Sequence, residues 1–331
     1  MKKNIKIIAE IAQGFEGDLV KSKLFIKAAK SVGADAVKFQ LVYADELATE
    51  SYEHYNLFKS LEMPDKCWKE INKYSSDLGI ELILDIFGPK SLKTSLNIGL
   101  NTVKIHGTDI TNIDLLTKVS KSKIKSVILG VGGASMKEIK DAVNILNKKD
   151  IVLLVGFQGY PTKTCDNMIS RMNIILKNIQ KIHDNLTIGF ASHPDEKDNQ
   201  SHISLVAIGA GAKVIERHLT LGKIMKLEDY ESALNPDEFL DFVKVIKSGY
   251  DALGSSSHYK LSSSEKKYRK AVRRDIVASM NIKKGTKLLA NHLHQKRTGI
   301  SGGLKTLNQA YGKILQVDLK KDDILLKSHI K

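Results

Sequence analysis

No stretch of the 331 residues comes near the roughly 18 consecutive apolar residues that a membrane-spanning helix requires, so a membrane protein of that kind is excluded. Cysteine is scarce: Cys67 and Cys165 lie far apart in the chain. That leaves no disulfide framework and no thiolate spacing for a metal, and fits a reducing, cytoplasmic location. The opening Met1-Lys2-Lys3-Asn4 runs straight into an apolar strand, without the longer apolar core and small-residue cleavage site of a signal peptide. Acid does not balance base, for the formal net charge is +15. Yet lysine outnumbers arginine, and we read the lysines as spread over the predicted helices, with no concentrated arginine stripe and no interleaved aromatics. The expectation is a solvated surface and no nucleic-acid partner, with a field that draws in anionic substrates.

What the chain does have is regular alternation. Short apolar runs at Ile5–Ile11, Ala34–Leu41, Ile80–Phe87, Thr102–His106, Ser126–Val131, Ile151–Gly156, Thr187–Ala191 and Lys213–Arg217 read as buried strands. Segments of helical periodicity lie between them, such as Leu19–Val32, Met136–Asn147 and Ile169–Ile182. Eight strand–helix units predict a closed (β/α)8 TIM barrel over residues 1–253, ahead of an open doubly wound sheet. The serine-rich stretch 254–269 reads as a linker. Beyond it, over 270–331, strand-like Ile276–Ser279, the turn Asn281–Gly285, a short element at Leu288–Leu293, and Leu315–Leu319 with Ile324–Leu326 around Lys320-Lys321-Asp322-Asp323 predict a small β-rich module.

Active sites of such barrels lie at the C-terminal strand ends. His193 and His218 stand 25 residues apart, each at the end of one of the last two strands. Two imidazoles on adjacent strand ends are placed to share one metal ion. Lys38 and Lys104 each sit inside an otherwise apolar strand. A buried ammonium without counter-charge is costly, so a bound phosphate or carboxylate is the expected partner. Gln40 shares the face of Lys38.

Taken in order, the motifs resemble the sialic acid synthase family across nearly the whole chain. They are Ala9-Glu10-Ile11, Gly33 through Gln40, Lys104-Ile105 with Asp109-Ile110-Thr111-Asn112, Tyr160-Pro161-Thr162, Gly189 through His193, Glu216 through Thr220, and Asn235-Pro236-Asp237-Glu238-Phe239. In the tail, Asp275–Ser279, Ile282 through Gly285 and Lys296-Arg297-Thr298-Gly299 resemble the antifreeze-like (SAF) module of those enzymes. The resemblance implies a metal-dependent condensation of phosphoenolpyruvate with an open-chain N-acylated hexose, giving a nonulosonic 2-keto acid and releasing phosphate. It implies a manganese or magnesium ion on His193 and His218, Glu10 orienting the second ligand or shuttling a proton, and Lys38 and Lys104 holding the three-carbon donor. Asp109, Gln158, Tyr160 and Asp229 would meet the acceptor. It also implies a domain-swapped homodimer in which Arg297 reaches the partner's sugar.

Several positions depart from the family. Asp85, Gly107, Gly130 and Ala191 stand where small hydroxylated residues surround the donor, and Val131 replaces a threonine. Val155-Gly156-Phe157 replaces a His-Cys-Thr type sequence, Gly14-Phe15 an Asn-His pair, and Ser192 an aspartate. Each lost charge-assisted hydrogen bond is worth roughly 1.5–3 kcal/mol, and Asp85 would repel an anion. Backbone N–H groups of Gly130 through Gly133, or His106, Gln158 and Arg217, are the candidate replacements. The alternatives are a metal-dependent carbon–carbon lyase or aldolase with another donor, or a non-catalytic sugar-binding relative.

Overall fold

Each of the eight apolar runs forms a strand of one closed parallel barrel in the computed structural model of the chain, which describes residues 5–157, 159, 162–194, 201–254 and 259–331. The strands are β1 (Lys6–Ala12), β2 (Ala36–Leu41), β3 (Glu81–Ile86), β4 (Thr102–Ile105), β5 (Ser126–Gly130), β6 (Asp150–Val155), β7 (Leu186–Ser192) and β8 (Val214–His218). They pair in sequence order, and β8 closes on β1. After each strand comes a helix, from Leu19–Ser31 behind β1 to Pro236–Leu253 behind β8. Local signals set their ends. Asp18 accepts from the Lys21 amide to start the first helix, Ser135 and Glu138 form a capping box at Met136–Ile145, and left-handed Gly79 ends Asp65–Leu78.

Two apolar layers result. One lies between strands and helices; there Phe15, Phe39 and Trp68 pack edge to face, with ring centroids 5.6–6.4 Å apart. Phe15 is therefore core, which accounts for one departure from the family. The other layer fills the barrel itself: Ile8, Ala36, Ile83, Ile128, Leu154, Ala191 and Val214. This plug forms the floor on which the charged residues sit.

The chain divides into two compact units at Gly254/Ser255. The stretch expected as a linker carries a helix, Ser263–Val272. Ser262 accepts from the Glu265 amide at 3.1 Å, and Glu265 accepts from the Ser262 amide at 2.6 Å, so the second serine run, 262–264, is a helix start, while residues 255–258 of the expected linker lie outside the described residues. In the C-terminal unit β9 (Asp275–Ala278) pairs antiparallel with β10 (Leu293–Lys296). The expected strands at Leu315–Leu319 and Ile324–Leu326 are single bridges instead, Ile282↔Leu319 and Val277↔Ile324 among them. Tight turns leave each too few residues for a ladder. The two Lys-Lys turns do match: Gly285 (φ 86°) and Asp322 (φ 71°) both take the left-handed conformation after the lysine pair. Lysines do stand on most of the barrel helices, but acidic residues nearly balance them there, so the net charge is concentrated beyond the barrel. Residues 255–331 contain 18 Lys and Arg against 5 Asp and Glu, a net +13 of the total +15. Among the described residues no helix is long and apolar enough to cross a membrane.

Candidate active site

Strand register builds the site. Glu10 on β1 lies beside Lys38 on β2 and beside His218 on β8, and Asp85 on β3 lies beside Lys104 on β4. Glu216 precedes His218 by two residues, so both face the same side of β8. Five charged side chains thus meet above the apolar plug, all essentially inaccessible to solvent. Lys38 ion-pairs with Glu10 in close contact, and its Nζ lies 3.7 Å from Asp85 and 3.6 Å from Glu216. Lys104 Nζ lies 3.2 Å from Asp85 and 3.4 Å from Glu216.

This overturns the argument from missing counter-charge. Both lysines are matched by the protein's own carboxylates, three against two, and the cluster carries one net negative charge when all are ionised. The buried lysines therefore do not by themselves call for a bound anion. Burial lowers Lys38 to about 8, against the pull of Glu216 and Asp85. For Lys104 burial works the same way, but Asp85 and Glu216 prevail and raise it above its ordinary value. Burial pushes the Asp85 and Glu216 carboxyls up, while the two lysines outweigh it and hold both below the usual range.

The histidines sit alongside. The rings of His193 and His218 lie 5.3 Å apart between centroids, and both are buried. Burial brings His193 down to about 4 and His218 well below its ordinary value, so both imidazoles are neutral at pH 7, as metal ligands must be. His193 Nδ1 is 2.9 Å from the Phe157 carbonyl; with Nδ1–H donating there, Nε2 carries the lone pair. The pair fits a divalent ion in its donor chemistry. Among the described residues no third His, Cys, Asp or Glu completes a metal-binding group.

Around the mouth, β1 ends in a bulge where Ala12 takes a left-handed φ of 50°, held by Glu10 Oε1 accepting the Ala12 amide at 2.6 Å. Gln13 Nε2 donates to Gln40 Oε1 at 2.8 Å, and the Gln13 backbone hydrogen-bonds Asp229. Burial, with Glu228 nearby, raises Asp229 to about 6. Asp109 is half-buried at the end of β4, accepts from Asn112 Nδ2 at 3.1 Å, and is raised by burial. Gln13, Gln40, Tyr52, Phe58, Phe87 and His106 line a cavity of about 410 Å³. Burial lowers His106 to about 4, and its Nδ1 lies 2.9 Å from Thr108 Oγ1.

Of the expected residues, Glu10, Lys38, Gln40, Lys104, Asp109, His193, His218 and Asp229 gather at this end of the barrel. Gln158 and Tyr160 lie outside the described residues. Arg297 belongs to the C-terminal unit. Sequence reasoning missed Glu216 as a member of the charge cluster, although strand alternation two residues before His218 was the available signal. Asp85 was foreseen only as a repulsive intruder.

The other departures are paired in space. A Cβ on Gly130 would stand 2.7 Å from the Gly107 amide nitrogen, and one on Gly156 would stand 2.3 Å from the Ala191 carbonyl oxygen. The ends of β4 and β5, and of β6 and β7, have closed into space that a side chain would need.

Comparison with known proteins agrees with this architecture. The profile of the NeuB family matches residues 25–258, and that of the SAF domain matches 273–331. An uncharacterised protein of Methanocaldococcus jannaschii is 33% identical over 322 residues, 96% of this chain and 92% of its own. The N,N'-diacetyllegionaminic acid synthase of Campylobacter jejuni is 32% identical over 346 aligned positions, covering 98% of this chain and 99% of its own. A sialic acid synthetase from Leptospira borgpetersenii, solved with citrate, superposes with a TM-score of 0.72 at 29% identity, covering 82% of this chain and 93% of that one.

Proposed function

Since the chain belongs to the NeuB family, we propose that it is a nonulosonic-acid synthase, a transferase that joins a three-carbon donor to the aldehyde carbon of an open-chain N-acylated hexose. The observation that carries this is the meeting of Glu10, Lys38, Lys104, His193 and His218 at one barrel end, in a chain that aligns with acid synthases along its length. In the form the resemblance implies, the donor is phosphoenolpyruvate: its C3 bonds to the aldehyde carbon, water adds at C2, and phosphate leaves.

His193 and His218 would hold a manganese or magnesium ion, which when bound polarises the aldehyde as a Lewis acid. Lys38, lowered to about 8 and in contact with Glu10, is the group in this cluster placed to give a proton to the new hydroxyl, with Glu10 beside it as the orienting partner. Gln40, Asp109 and Asp229 rim the mouth where the sugar's hydroxyls would bind. Gln158, Tyr160 and Arg297 complete the acceptor set that the resemblance implies, the last from the partner of a homodimer.

A second reading is favoured by one observation: Asp85 already occupies Lys104 and faces Lys38. A phosphorylated donor brings two to three further negative charges to a cluster that is already net negative. An unphosphorylated 2-keto acid such as pyruvate brings one, and its addition to the aldehyde gives the same 2-keto acid with no leaving group. Incubation of the purified chain with manganese, a panel of N-acylated hexoses and either donor, read by mass spectrometry alongside phosphate release, separates the two. Product in step with phosphate supports phosphoenolpyruvate; product from pyruvate without phosphate supports the second reading. No product from either donor by metal-loaded protein refutes the synthase proposal.

A further inference from the structure

The charge cluster stops one layer below the barrel mouth. Gln40 follows Lys38 by two residues, Phe87 follows Asp85 by two, and His106 follows Lys104 by two. Strand alternation therefore puts all three on the face of the cluster, one step nearer the C-terminal strand ends. These three line the cavity of about 410 Å³, together with Gln13 just beyond β1 and with Tyr52 and Phe58 from the segment between β2 and β3.

The chemistry changes abruptly between the two layers. Among the described residues no lysine, arginine, aspartate or glutamate lines the cavity, and His106, lowered to about 4 by burial, is neutral at pH 7. Its aromatic rings come in pairs. Tyr52 and Phe58 stack at 17° with centroids 6.0 Å apart, and Phe87 lies 6.2 Å from His106. Tyr52 is 47% exposed, so its ring offers apolar surface for a ligand to cover. The polar part is a pair of amides. Gln13 Nε2 donates to Gln40 Oε1 at 2.8 Å, which leaves Gln13 Oε1 as an acceptor and Gln40 Nε2 as a donor with no hydrogen bond among the described residues. One acceptor and one donor beside an aromatic wall complement a secondary amide that ends in a methyl group. A phosphate there would lose its hydration and meet no cation in return.

We propose that this cavity receives an acylamino group on the distal half of the acceptor, so that the acceptor is an unphosphorylated hexose with a second acylamino group, read by Gln13, Gln40, Tyr52 and Phe87. This deepens the synthase reading and rests on it. With the aldehyde carbon at His193 and His218, on β7 and β8, the far carbons of an open chain extend away from the histidines, and the cavity at the ends of β2, β3 and β4 faces them across the cluster. The selection is the same whichever three-carbon donor the barrel uses.

Reduced, open-chain sugars cannot condense, so their binding reports on the acceptor site alone. Calorimetric titration of the full chain compares the 2-acetamido alditol, its 6-phosphate, and the 2,4- and 2,6-diacetamido alditols, each in the gluco and manno configurations. One diacetamido alditol should bind at least about tenfold tighter than the monoacetamido form, since a buried methyl is worth about fourfold and a neutral hydrogen bond about fivefold. The 6-phosphate should bind no tighter than the monoacetamido form. Tyr52→Ala removes a half-exposed ring and should cut the diacetamido preference at least about threefold. Thr49→Arg, at an exposed position of the lining, supplies the missing cation and should raise affinity for the 6-phosphate at least about fivefold. Melting temperatures check that both variants fold. Tightest binding of the 6-phosphate, diacetamido alditols no tighter than the monoacetamido form, an unchanged preference in Tyr52→Ala, or no gain for the phosphate in Thr49→Arg would each overturn the proposal, while product formed from the parent sugars leaves the synthase reading intact. Absence of product from every acceptor, with no alditol bound, removes that reading and this one with it.

Discussion

Replacement of Asp85 by asparagine keeps the side chain's shape and removes one charge from the centre of the barrel. Asp85 lies 3.2 Å from Lys104 and 3.7 Å from Lys38. At an effective dielectric of about 20, each contact contributes on the order of 5 kcal/mol of gross attraction, most of it offset by burial of the charges. Loss of one partner from a buried pair costs roughly 3–5 kcal/mol net. Asparagine still offers Lys104 an amide oxygen, so the expected loss is at the lower end or just below it, about 2–3 kcal/mol. Urea unfolding followed by the fluorescence of Trp68, which is buried in the barrel unit, reads this directly. The pH dependence has a definite sign. The Asp85 carboxyl is held below its ordinary value of 3.8, so its stabilisation is present at neutral pH. It is lost as pH falls below about 4 and through the folded-state value. The wild type and the asparagine variant should therefore converge in strong acid. A second arm concerns the donor. Asp85→Ser removes the negative charge and restores a hydroxyl, which should raise affinity for phosphoenolpyruvate about ten- to a hundredfold, the worth of one charge-assisted hydrogen bond. A destabilisation under about 1 kcal/mol by Asp85→Asn, together with unchanged phosphoenolpyruvate affinity in Asp85→Ser, would refute the assignment of Asp85 as the internal counter-ion.

His218→Ala should abolish manganese binding seen by electron paramagnetic resonance and lower product formation by more than about a hundredfold, since even partners that only orient a metal ligand cost up to that much. Asp229→Asn should stabilise the protein at neutral pH. Burial raises Asp229 to about 6, so folding is penalised as pH rises from 3.8 and fully so above 6, by up to about 3 kcal/mol. Asparagine also accepts the left-handed φ of 64°. The melting temperatures of the two forms should coincide near pH 3 and separate above pH 6, with the variant binding the acceptor sugar more weakly. Gly130→Ser should destabilise the barrel by about 1–3 kcal/mol in thermal unfolding, because its Cβ would meet the Gly107 backbone at 2.7 Å. It should not by itself restore affinity for a phosphorylated donor.

The barrel was legible because its signal is periodic and local. Eight apolar runs with helical segments between them admit few closed topologies, and the runs coincide with β1–β8 to within about two residues at either end. The C-terminal module was less so. Turn chemistry marked its repeat, whereas its pairings are isolated bridges between residues far apart in sequence, such as Gly303↔Leu326, which no periodicity encodes. The serine run 262–264 misled because serine both loosens a tether and caps a helix, and only Glu265 three residues after Ser262 distinguished the two. In the site, the members were legible one by one and their balance was not. Lys38 and Lys104 each signalled a buried charge, but the identity of the counter-charge depends on side chains from β1, β3 and β8 arriving at one point.

That point gives the departures from the family a common cause. A buried lysine pair must be neutralised at all times, by a ligand or by the protein. With Asp85 between Lys38 and Lys104 and Glu216 in reach of both, the protein does so itself. If the donor carries no phosphate, hydroxyls aimed at one have no role, and side chains at 130 and 156 are dispensable. The backbone of Gly107 and the Ala191 carbonyl now lie where those side chains would be. On that reading, the carboxylate at 85 and the absence of hydroxyls at 107, 130 and 191 are one feature of the site. It follows that reversal must also be concerted: Asp85→Ser alone should recover binding of the phosphate group only as far as Lys38 and Lys104 provide it, and further gain requires positions 107, 130, 156 and 191 to move apart together.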